Sequence, residues 1–106
     1  MTIEEINNIA CQIIAYAGDA KSYCMEAIDN AADGDFEEAK SNLTEGNSAI
    51  QKAHEIHTGL LVQEARDPGC ITATMMLIHA SNHLSSAEQS SDFAEKLINV
   101  YQNMNK

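Results

Sequence analysis

A chain of 106 residues has room for one domain and one modest core, burying about 60 to 65 % of the surface its unfolded form exposes. Sixteen acidic residues against six basic ones leave a formal charge of −10; that field repels phosphate backbones and anionic headgroups, which excludes nucleic acid and membrane surfaces as partners and favours a protein with a basic face. Cys11, Cys24 and Cys70 fit neither a disulfide framework nor a metal-ligand spacing, no leader pattern follows Met1, and no apolar run approaches the ~18 residues of a membrane span, so a cytoplasmic protein without direct membrane insertion is expected.

Thr2 followed by Glu5 is a capping-box pattern and opens the first predicted helix. From there Ile3, Ile6, Ala10, Ile13, Ala17, Ala20, Cys24, Ala27 and Ala31 step by three and four, the spacing of a packed helical seam. Gly34, between Asp33 and Asp35, supplies the left-handed residue at which such a helix ends. Phe36, Ala39, Leu43, Gly46, Ile50, Ala53, His57 and Leu60 continue the spacing through a second helix. Gly46 weakens it by about 1 kcal/mol relative to Ala but permits close approach of a neighbour. Arg66-Asp67-Pro68-Gly69 breaks the pattern, and a third helix is predicted to begin near Ile71.

The third helix carries two apolar stripes. Ala73, Leu77, Ala80, Leu84, Ala87, Ala94, Ile98 and Tyr101 form the seam that packs on the other two helices. Ile71, Met75 and Ile78, continuing to Asn82, Ser85 and Gln89, occupy a different face. A monomeric three-helix bundle needs one stripe per helix, so the second predicts burial against another copy of the chain. The fold expected over residues 1–106 is a single all-α domain, an antiparallel, coiled-coil-like three-helix bundle.

His79 and His83 lie one turn apart on the third helix, off both stripes, with Met76 above and Ser86 below. Such a pair has three readings, of which ordinary surface polarity comes first: surface polar residues, a nucleophile with a hydrogen-bonding neighbour, or, behind these for want of a third ligand placed by the sequence, two metal ligands completed from His54, His57, Glu55 or Glu64. His57 falls on the second seam and reads as a satisfied core or interface histidine, and His54 as solvated. The acidic residues at 33, 35, 37 and 38 serve helix termini. With no Trp, three Tyr and two Phe, no aromatic platform for a sugar or base is advertised.

The stretch Met76-Leu77-Ile78-His79-Ala80-Ser81-Asn82-His83-Leu84 resembles the signature of the lactose/cellobiose-specific enzyme IIA family of the bacterial phosphoenolpyruvate-dependent sugar phosphotransferase system, in which His-Gly/Ala-Gln-Asp-His-Leu is typical. Ala15-Tyr16-Ala17-Gly18-Asp19-Ala20, Gly34-Asp35-Phe36, Ala53-His54, Thr58-Gly59 and Glu64-Ala65 extend the likeness in register along nearly the whole chain. The resemblance implies a homotrimer of three-helix subunits that accepts a phosphoryl group from HPr on His79 and passes it to a cysteine of the cognate enzyme IIB, during uptake of a β-linked disaccharide or similar sugar. It also implies that His83 stabilises the phosphoryl group.

Two positions depart from the family pattern. Ser81 stands where the family has glutamine, and is the candidate for a shortened phosphoryl contact. Asn82 stands where the family has an aspartate associated with a metal on the trimer axis; it removes the charge that would hold a cation, so no metal or other cofactor is expected. These departures keep open a second function, a non-catalytic helical interaction or regulatory protein with a degraded site, and a third, a histidine-rich metal-binding bundle.

Overall fold

Local capping chemistry sets the helix starts. The Glu5 N–H donates to Thr2 Oγ1 at 3.1 Å and the Thr2 N–H to Glu5 Oε1 at 3.0 Å, completing the expected capping box. The Thr2 backbone and hydroxyl hold the Glu5 carboxyl below its ordinary range. In the computed structural model, which describes residues 1–105, this cap opens α1 (Ile3–Ala32), followed by α2 (Phe36–Arg66) and α3 (Met75–Met104). Gly34 has φ +84°, which only glycine adopts without strain, and Asp35 Oδ1 accepts the Glu38 N–H to cap α2.

The three helices run up, down and up in a bundle 55 × 20 × 17 Å, and no strand occurs among the described residues. α1 packs extensively on both others, while α2 and α3 share a smaller contact. The seam of α1 is buried as predicted from Ile6 to Ala31; Ile3, at the open end, is exposed. Eleven of the seventeen buried apolar residues are alanine, so the helices pack with little side-chain volume between them. Gly46 marks that closeness on α2: a Cβ there would stand 3.1 Å from Cys24 Sγ and 3.3 Å from the Ala20 carbonyl oxygen of α1. Burial also raises the Cys24 thiol pKa.

Polar contacts complement this small-residue core. Asn42, buried on α2, donates to Asn30 Oδ1 of α1 at 2.7 Å, and the buried Ser91 of α3 donates to Asn47 Oδ1 of α2. Neither pair follows from hydrophobic spacing.

The structure corrects the start of the third helix, which begins at Met75 rather than near Ile71. The Glu64 carboxylate accepts the N–H groups of Gly69 at 2.9 Å and Ile71 at 3.3 Å, holding the segment after α2 as a turn. Thr74 then caps α3, its Oγ1 accepting from the Leu77 N–H at 3.1 Å and donating to Asn7 Oδ1 at 2.7 Å. Ala73 is therefore exposed loop rather than seam, and Ile71 packs half-buried on the core cluster shared by α1, α2 and α3 from outside the helix. The second stripe survives on α3 itself: Met75 is 88 % and Ile78 53 % exposed. It continues beyond Gln89 to Phe93, Val100 and Met104, all exposed.

Candidate functional site

α3 determines the phase of every candidate side chain. Once Ala80, Leu84 and Ala87 turn into the core, His79 and His83 must emerge beside α1, and a residue two places on from His79 must turn about 200° away from it. His79 is exposed and His83 half-buried. Their Nε2 atoms are 3.1 Å apart, and their rings meet edge to face with centroids 4.5 Å apart.

The environment of His83 assigns the proton between them. Its Nδ1 is buried with no hydrogen-bond partner. A buried N–H without an acceptor costs more than an unpaired ring lone pair, so the neutral ring carries its hydrogen on Nε2. His83 thus donates to His79, leaving the His79 Nε2 lone pair pointed at its neighbour and Nδ1 protonated. Burial, with smaller contributions from His79 and Lys21, holds the His83 pKa below the ordinary 6.5 and keeps the ring neutral near pH 7.

The pair opens onto a shallow depression of about 200 Å³ lined by Lys21, His79, Asn82, His83 and Ser86. Lys21 comes from α1 and was not singled out in the sequence. The signal available was its rarity, since only six residues of the chain are basic; nothing local marked it as facing α3.

Ser81 lies elsewhere. Its Oγ is 2.9 Å from His57 Nε2 of α2, on the far side of α3 from His79, so the expected contact between Ser81 and a group on His79 is not formed within one chain. His57 is half-buried and satisfied, in keeping with its predicted seam position. Both line an apolar groove of about 310 Å³ with Leu60, Leu61, Leu77 and Ile78. His54 is exposed, its Nδ1 3.5 Å from Glu88 Oε1.

A larger hollow at the opposite end, walled by Phe36, Asn99, Gln102, Asn103 and Asn105, offers amides but no titratable group among the described residues. Nor do three His, Cys, Asp or Glu side chains converge anywhere among them. Asn82 presents a neutral amide at the position where the family resemblance implies a metal-associated carboxylate, a weaker donor for a hard cation. No described helix is long and apolar enough to cross a membrane.

Residues 8–102 match the family described as the lactose/cellobiose-specific IIA subunit of the PTS system. The lactose-specific EIIA component of Staphylococcus epidermidis is 36 % identical over 101 residues, spanning 95 % of this chain and 96 % of that protein. The crystal structure of the cellobiose-specific enzyme IIA from Bacillus anthracis superposes with a TM-score of 0.89 at 32 % identity, covering 99 % of this chain and 94 % of the other. The IIA(Chitobiose) of Escherichia coli, solved in complex with HPr, gives 0.83 at 25 % identity over 95 % and 97 %.

Proposed function

This chain belongs to the lactose/cellobiose-specific IIA family of the sugar phosphotransferase system, and on that premise we propose that His79 is its phosphoryl carrier, loaded by HPr and unloaded onto a cysteine of a cognate enzyme IIB. The observation that carries the reading is the geometry of the imidazole pair: an exposed His79 whose Nε2 stands 3.1 Å from Nε2 of the half-buried His83.

The chemistry follows from that arrangement. The His79 Nε2 lone pair attacks the phosphorus presented by HPr. A new N–P bond forms as the donor's bond to phosphorus breaks, and that bond's electron pair leaves with the donor. The His83 N–H, released from the lone pair it had held, turns to a phosphoryl oxygen and offsets its charge. In the second transfer a thiolate of enzyme IIB attacks the same phosphorus, and the N–P electron pair returns to His79. Ser81, engaged by His57, takes no part within its own chain.

Assembly belongs to the same proposal. The exposed stripe of α3 supports a homotrimer whose axis is lined by Met75, Ile78 and Asn82. Asn82 amides, which both donate and accept, can bond around that axis without a cation. The sugar is met by other components of the system; the solved relatives named for cellobiose and chitobiose share this fold.

Incubation with phosphoenolpyruvate, enzyme I and HPr, followed by mass measurement, tests the reading. One acid-labile phosphoryl adduct is expected on the wild type and none on His79→Gln, with helical content equal in both. An adduct retained on His79→Gln refutes the assignment, and a wild type that takes up no phosphoryl group favours the non-catalytic interaction protein.

A further inference from the structure

We propose that Lys21 of α1 is the fixed positive charge of this site, receiving the oxygens of an anionic phosphoryl group at the His79–His83 depression. The inference rests on the reading of His79 as carrier but stands on its own geometry. A phosphoryl group adds nearly two negative charges to a chain that already carries −10, so the depression must supply local compensation. His83 supplies none as a cation, because its ring is held neutral. Asn82 and Ser86 offer only neutral dipoles. Lys21 is the single permanently charged side chain lining the depression.

Nothing on α1 draws that ammonium away. Its helical neighbours at three and four residues, Ala17, Gly18, Cys24 and Met25, carry no carboxylate, and among the described residues no acidic oxygen lies within 4.0 Å of it. Asp19 and Glu26 belong to a separate hollow on another face of α1. By contrast Lys52 lies over the Tyr16 ring, 5.7 Å from its centroid. An unpaired ammonium in so acidic a chain is available to a ligand, and the charge of Lys21 reaches His83 from α1.

The test uses the full chain as wild type, Lys21→Gln and Lys21→Arg. In NMR titrations with inorganic phosphate, the His79 and His83 ring resonances of the wild type and of Lys21→Arg should shift and saturate. Those of Lys21→Gln should require at least about tenfold more phosphate. Phosphoryl uptake from HPr should slow by about tenfold or more in Lys21→Gln and recover to within about threefold in Lys21→Arg, as expected when a charge-stabilising donor is removed and restored. Equal phosphate titrations in wild type and Lys21→Gln overturn the proposal, as do equal uptake rates. A wild type that binds phosphate in a Lys21-dependent way but forms no adduct leaves the anion site standing and overturns the carrier reading instead.

Discussion

At the scale of single residues, the coupling of His79 to His83 makes a statement about pH. The folded-state pKa of His83 lies below the ordinary 6.5, so between those two values the unfolded chain binds more protons than the folded one. Stability then rises with pH through that window. Equivalently, the contribution of this group is fully present above about pH 7, is lost as pH falls through 6.5 toward the depressed value, and changes no further once both states are protonated. Urea unfolding at pH 7.5 and 5.5 should show a fall in stability for the wild type that is smaller for His83→Gln, which has no proton to gain. An identical fall in both proteins would remove His83 as its source. The same burial that depresses the pKa keeps the ring a one-proton donor, and that is what aims the His79 lone pair.

At the scale of the element, α3 is a ruler whose zero is Thr74. One hydroxyl accepts the Leu77 N–H and donates to Asn7 of α1, so it both starts the helix and registers it against its neighbour. Thr74→Val keeps the shape and removes both bonds, at a cost of about 1–2 kcal/mol. In a domain of this size each kcal/mol lowers Tm by about 4–8 °C. Thermal melts followed by circular dichroism should show that loss; a Tm within 2 °C of wild type would mean that the buried seam alone sets the start of α3. The close approach of α1 and α2 at Gly46 has the same character, since it depends on the absence of a side chain rather than on a contact made by one.

At the scale of the whole molecule, an alanine-rich core leaves little apolar volume inside and several large apolar side chains outside. Met75, Ile78, Phe93, Val100 and Met104 lie exposed along one face of α3, each worth about 1.5–3 kcal/mol if fully buried. A face that long is what the proposed repeat of the chain around an axis would cover. Ile78→Glu, at a position half exposed in the single chain, should convert a trimer to monomers in sedimentation equilibrium at micromolar concentration while leaving helical content unchanged. Under the proposed assembly, chelator should leave a wild-type trimer intact, because Asn82 offers no charge that a cation must offset. A wild type that sediments as a monomer, or a trimer that dissociates in chelator, would contradict this account of the stripe or of Asn82 respectively.

Three helices, the capping box at Thr2, the turn at Gly34 and the buried seam of α1 were legible in the sequence because each is a local or periodic property of the chain. The candidate pair His79 and His83 was legible for the same reason, since residues four apart on a helix share a face wherever the helix is placed. What the tertiary structure decided depends on where one helix stands against another. Glu64 reaches seven residues along the chain to hold Ile71 in a turn, so α3 begins later than its apolar spacing implies. Ser81, two places from His79, is claimed by His57 of α2. Lys21, more than fifty positions away in sequence, becomes part of the site only because the α1 seam turns it toward the imidazoles. Periodicity sets which side of a helix is apolar, but the polar side acquires chemistry only from whatever the packing of small residues brings within a few ångströms of it.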